Sequence, residues 1–236
     1  MLLENRNAVI YGAGGQVGRA VAIAFAREGA TVHLAGRTLG RLEEVAADVR
    51  GAGGSAELAE LDALDEQAVD EHAATLAGRA GGIDISLNVI SHGELFGTPL
   101  ADLSLADFER PVHTAVRSTF LTARAAARHM ITQRSGVILM FGGYGAPPAD
   151  FHLGGFQVGL TAVDALRRQL AAELGPQGIR VLTIQSTGVD NRSARTMLGR
   201  PATFEDVGRV AAFAASDHAR AMTATALNIT CGEEVD

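Results

Sequence analysis

Apolar and polar residues follow two periods along this chain, and the switches between them mark out its elements. Residues 8–11 form a short apolar run between Asn7 and Gly12, which predicts a buried strand. Val17, Val21, Ala22, Phe25 and Ala26 then recur at three- and four-residue spacing, the mark of a helix with one apolar face. Gly29 ends that helix, and residues 31–35 are apolar again. The same reading predicts helices over 39–50, 64–76, 108–133, 156–174 and 207–215. It predicts further strands over 55–61, 83–90, 136–141, 179–184 and 226–230. Residues 142–155 form a loop with Pro147 and Pro148, and residues 186–203 form a polar, lid-like segment carrying Arg192, Arg195 and Arg200. Strands and helices alternate without a linker or repeat. The pattern predicts one Rossmann-type α/β domain over residues 1–236, with a doubly wound, mostly parallel sheet of about seven strands and helices on both faces.

The first strand-to-helix turn holds Gly12, Gly14, Gly15 and Gly18. Side chains there would keep a pyrophosphate away from the backbone N–H groups, and the helix start, at Gln16 and Val17, presents free N–H groups and the positive end of the dipole. These six residues are therefore candidate cofactor contacts. The alternative is a tight turn that binds nothing. At the end of the second strand an acidic residue would accept hydrogen bonds from an adenosine ribose and favour NAD. Here Ala35 and Gly36 are followed by Arg37, a cation suited to a 2′-phosphate, so NADP is favoured over NAD. Asp62 follows the third strand, where it either meets an adenine amino group or caps the next helix.

Composition narrows the classes. The net charge of −7, with no basic cluster, argues against nucleic acid as a partner. No run approaches the roughly 20 apolar residues of a membrane span. The first residues lack the basic-then-apolar pattern of a secretion signal, and Cys231 stands alone, so no internal disulfide forms. Both features fit a cytoplasmic protein.

Several stretches, by their order and spacing, resemble landmarks of the short-chain dehydrogenase/reductase family along nearly the whole chain. YGAGGQVG stands at the family's glycine turn, with Tyr11 in place of its threonine. AGRTLGRLEEVAADV resembles its NADP-type continuation, LDALD its adenine-contact segment with Asp62 as the carboxylate, and ELGPQGIRVLTI and ALNITCG its last two strands. Of the family's NNAG stretch only Asn88 is kept, a further candidate on the cofactor side; Val89, Ile90 and Ser91 follow it. The Pro-Gly pair after the sixth strand reads Ser186, Thr187.

The resemblance implies a Ser-Tyr-Lys-Asn set in which the Tyr phenol exchanges the proton at the substrate oxygen. The matching positions here read Gly143, Phe156, Leu160 and Ala115, none of which carries a polar side chain. General acid–base catalysis by that route is therefore absent. Tyr144, His152 and His92 are the candidate substitutes; Arg192 and Arg195 could clamp an anion from the lid. No metal site is expected. Three readings stay open: a nicotinamide-binding protein of non-standard chemistry on an unknown small molecule, a non-catalytic cofactor sensor or partner subunit of an active homologue, and a non-redox lyase or isomerase in the same pocket. If the glycine turn is only structural, no cofactor binds. The resemblance also implies a homodimer or homotetramer through the helices 108–133 and 156–174, where Ala125, Ala126, Gly159 and Ala162 would allow close contact or instead pack inward.

Overall fold

Seven parallel strands form one sheet in the order β3-β2-β1-β4-β5-β6-β7. The computed structural model describes residues 1–93, 95–143, 151–191 and 195–235. The strands are β1 (Asn7–Tyr11), β2 (Thr31–Gly36), β3 (Ser55–Glu60), β4 (Ile85–Asn88), β5 (Gly136–Gly143), β6 (Ile179–Ser186) and β7 (Ala226–Asn228). The α-helices among the described residues are α1 (Gln16–Arg27), α2 (Leu39–Gly51), α3 (Glu66–Ala80), α4 (Leu105–Gln133), α5 (Gly155–Leu174) and α6 (Phe204–Ala215). The chain runs outward from β1 to β3, then returns to β4 on the other side of β1. That reversal opens a crevice at the carboxyl ends of β1 and β4, where doubly wound sheets take their ligands.

Strand alternation sorts the core into two layers. Ala8, Ile10, Val32 and Leu34 pack with Val21 and Phe25 of α1, Leu42 of α2 and Val207 of α6. Val9, Tyr11, Ile138 and Val181 face the opposite layer, with Val69 of α3, Ala126 of α4 and Val163 of α5. Covered on both faces, the inner strands read as unbroken apolar runs.

Most element bounds differ from the hydrophobic pattern by a few residues; β4 and β7 are each shorter than the expected 83–90 and 226–230. Helix α4 begins at Leu105 rather than 108, because the Ser104 side chain caps it by accepting from Asp107 N–H at 3.1 Å. Helix α3 runs from Glu66, capped by Asp65, to Ala80, and Gly81 ends it in the left-handed conformation. Strands β5 and β6 each extend two residues further than expected, since Gly142 pairs with Gln185 and Gly143 with Ser186. Those residues carry no apolar signal.

The long helices α4 and α5 lie against each other, and their small residues serve that contact. A Cβ on Gly159 would sit 3.2 Å from Ala115 Cβ and from the Pro111 carbonyl oxygen. Ala125 and Ala126 are 1% and 0% exposed within the second layer. Their small size is thus used inside the chain, not on a free stripe between subunits.

Under α3 the second layer becomes polar. The His72 ring meets Tyr11 edge-on, with centroids 6.0 Å apart. Burial, then the Asp70 charge, raises the Tyr11 phenol; burial, then His33, lowers His72 to about 4. Burial also lowers His33, against the opposing pull of Glu57. Both histidines resist protonation in the fold, whereas in the unfolded chain they titrate near their ordinary value of about 6.5. Stability is therefore expected to be full above about pH 6.5 and to fall as pH drops toward 4, since only the unfolded chain takes up those protons. With His72 partly solvated, the loss between about pH 7 and 5 is on the order of 1 kcal/mol, or roughly 2–4 °C in Tm. Thermal melts of His72→Gln should show a flatter profile over that window.

Candidate functional site

A cleft of about 820 Å³ lies at the carboxyl ends of β1, β4, β5 and β6. Gly15 to Gly18 at the start of α1 form one end. Val89 and Ile90, Gly142 and Gly143, and Ser186 to Val189 line its base, and Phe156, Gln157 and Leu160 of α5 close the other side.

The glycines at the first turn serve different ends. Gly12 has φ +86°, and a Cβ there would fall 2.9 Å from the Val89 carbonyl carbon and oxygen. On Gly18 it would lie 2.7 Å from Ala13 Cα and the Gly12 oxygen. The fold itself demands these two glycines. Gly15 is unlike them: its φ is −86°, and its Cβ would meet only the Gly12 oxygen, at 3.5 Å. Packing there has room for an alanine side chain. Gly15 is the N-cap of α1, and no side chain caps that helix. The N–H groups of Gln16, Val17 and Gly18, in the first turn at the cleft, have no side-chain cap.

Arg37 is exposed just after β2. Arg41 of α2 lies against the glycine turn, its Cβ 3.1 Å from where a Gly14 Cβ would be. The sequence reading missed this second cation, because Arg37 precedes the extended N-cap Thr38 and the four-residue step to Arg41 is not a helical one. Asp62 does not cap α3, as Asp65 does so; Asp62 Oδ1 instead accepts from Leu64 N–H at 3.0 Å. It lines a shallow acidic pocket with Asp65, Glu66 and Arg117, apart from the central cleft. Asn88 is also absent from the cleft wall. Its amide donates to Ser118 and Thr122 of α4 at 3.2 and 3.3 Å, and its oxygen accepts from Ile90 N–H at 3.0 Å. The side chain ties β4 to α4 and fixes the chain leaving β4.

Gly143, Phe156 and Leu160 meet at one corner of the cleft. A Cβ on Gly143 would lie 2.7 Å from Leu160 Cδ1 and 3.9 Å from Phe156 Cε1. The Phe156 ring lies 5.8 Å from the His92 ring and 5.9 Å from that of Phe96, centroid to centroid. Ala115 is fully buried behind Gly159. Of the candidate substitutes, His92 lines the cleft at 8% exposure, while His152 is exposed and outside its wall. Tyr144 and Arg192 lie outside the described residues. Arg195 is exposed, and Arg200 is engaged: it donates to Asp206 at 2.6 and 3.3 Å, next to the capping box of α6. Arg200 therefore anchors a helix start.

Other cleft residues escaped the sequence reading. Phe96 and Phe151 stand in loops without periodic signal, and Glu233 and Glu234 lie in the tail after β7. Only the adjacent acids of GEEVD hinted at the last pair. Among the described residues no group of His, Cys, Asp and Glu is arranged to hold a metal, and no helix is long and apolar enough to cross a membrane.

Comparison with known proteins agrees with this architecture. Residues 12–233 match the family model described as enoyl-(acyl carrier protein) reductase. An uncharacterized oxidoreductase of Bacillus subtilis is 29% identical over 242 residues, covering 94% of this chain and 88% of its own. A short-chain type dehydrogenase/reductase from Mycobacterium marinum has 28% identity and a TM-score of 0.87, over 99% of this chain and 97% of its own. A 7α-hydroxysteroid dehydrogenase solved with NADH and 7-oxo glycochenodeoxycholic acid has 25% identity and a TM-score of 0.85, over 99% and 97%.

Proposed function

Because the chain belongs to the short-chain dehydrogenase/reductase family, we propose that it binds a nicotinamide dinucleotide in the central cleft, NADP(H) ahead of NAD(H), and lacks the family's acid–base set. The observation that carries this reading is Gly15: a glycine the fold does not require, at an uncapped helix start that opens onto the cleft. Its neighbours suit the adenosine and pyrophosphate half. The N–H groups of Gln16, Val17 and Gly18 hold the phosphates. Arg37 and Arg41 hold a 2′-phosphate, and no carboxylate at the end of β2 competes for it. When bound, the reduced nicotinamide supplies a hydride equivalent.

The other half of the cleft is built differently. At the Tyr position Phe156 offers no proton, at the Lys position Leu160 offers no charge, and Gly143 has no hydroxyl. These residues exclude water and orient a ligand by apolar contact. The protein is therefore an oxidoreductase-like member whose chemistry does not run through a tyrosine proton. Exchanging Arg37 for alanine tests the cofactor half. Arg37→Ala is expected to weaken NADPH binding by about tenfold and to leave NADH binding almost unchanged, as one lost charge-assisted contact predicts. Equal weakening of both dinucleotides would place Arg37 away from the 2′-phosphate.

A further inference from the structure

The cleft described above has an unusual charge and ring pattern at its reacting end. Aromatic faces dominate one side: Phe156 packs against the rings of Phe96 and His92. The wall also carries the acids Glu233 and Glu234. Thr187 donates its hydroxyl to Glu233, which holds that carboxylate in place. Glu234 is half-buried, and its backbone N–H donates to Thr230 Oγ1 at 3.2 Å. No Lys or Arg lines the cleft among the described residues. A neutral ketone is poorly served there, because its oxygen becomes an anion as it is reduced, in a cleft lined by two carboxylates and, among the described residues, by no tyrosine. A cation with apolar flanks is well served: ring faces attract it, and so do the carboxylates.

We propose that the site handles an apolar iminium ion and its amine product, using a nicotinamide dinucleotide as the redox partner. This rests on the cofactor reading given above. In the reducing direction a C–H bond forms at the iminium carbon from the hydride of the reduced dinucleotide. The C=N π pair moves onto nitrogen as its lone pair, and the dinucleotide is left oxidised. No proton is transferred in that step, so a phenol and its lysine are not needed. Phe156 in place of an acid then fits the reaction: it contacts the positive charge that makes the carbon electrophilic, while Glu233 and Glu234 favour the charged form over neutral competitors.

Calorimetry tests the proposal without turnover. With the protein saturated in oxidised NADP, N-methyl dihydroisoquinolinium, a permanent cation, is expected to bind at least about tenfold more tightly than α-tetralone, its neutral carbonyl counterpart. Glu234→Gln and Phe156→Leu should each reduce that preference by about threefold or more, with melting and NADPH affinity unchanged. With NADPH, reduction of the iminium should show little pH dependence between about pH 6 and 9, since no protein group gives a proton. Equal binding of the two probes, or a preference indifferent to both substitutions, would overturn the proposal while leaving the cofactor reading standing. Ketone reduction whose rate falls with rising pH would also overturn it and point to His92 as an acid. Failure to bind NADPH at all would overturn both readings.

Discussion

Reduction of simple ketones with NADPH is expected to rise by about 10²–10⁴-fold when Gly143→Ser, Phe156→Tyr and Leu160→Lys are combined, the range a positioned general acid supplies. The three positions share one corner of the cleft, with the site of a Gly143 Cβ only 2.7 Å from Leu160 Cδ1. Gly143→Ser alone should therefore gain nothing, because its new side chain meets Leu160. Leu160→Lys removes that contact and lowers the new phenol's pKa by its charge. The gain is expected to be strongly non-additive: small for each single change, large for all three. The measurement is ketone-dependent loss of NADPH absorbance, set against the unaltered protein. No gain in a folded, cofactor-binding triple variant would contradict the assignment of these positions to the reacting corner.

Gly12→Ala is expected to cost about 2–5 kcal/mol, much of the stability of an ordinary domain. Two separate effects produce it. Alanine is strained at φ +86°, and its Cβ would press to 2.9 Å on the Val89 backbone, which cannot swing aside as a side chain would. Gly15→Ala, three residues on, should cost only about 1 kcal/mol, the usual loss for alanine at an N-cap, for φ is ordinary and the nearest atom stands at 3.5 Å. Yet this second change places a methyl group where a phosphate must approach. Denaturant midpoints and dinucleotide affinities should thus separate: Gly12→Ala loses the fold, and Gly15→Ala loses the ligand.

Strong periodicity made the sheet legible in the sequence. The run over 8–11, the helical spacing from Val17 to Ala26 and the glycines between them report elements covered on both faces. Strand ends were less legible. Gly142, Gly143, Gln185 and Ser186 extend β5 and β6 through backbone pairing alone, which leaves no apolar trace. The start of α4 was written as Ser104 followed by Asp107, a cap signal weaker than the apolar pattern after it. In the cleft, residues fixed to regular elements could be placed by counting: Gly15, Gly143, Phe156 and Leu160 all reach it. Asn88 and Asp62 lie at the right points in the chain, but local hydrogen bonds turn Asn88 toward α4 and hold Asp62 in a turn. Glu233, Glu234, Phe96 and Phe151 depend on how loops and tail fold back over the sheet, which no local pattern records.

Whether the cleft holds a nicotinamide dinucleotide is decided by titrating NADPH and NADH into the protein and into Gly15→Ala, followed by the nicotinamide's own emission. The chain has no Trp, so protein emission interferes little. Saturable NADPH binding on the order of micromolar is expected, with weaker NADH binding and a loss of about tenfold or more in Gly15→Ala, whose melting temperature should fall by only about 2–4 °C. Absence of saturable binding by either dinucleotide, or equal binding in the two proteins, would contradict it.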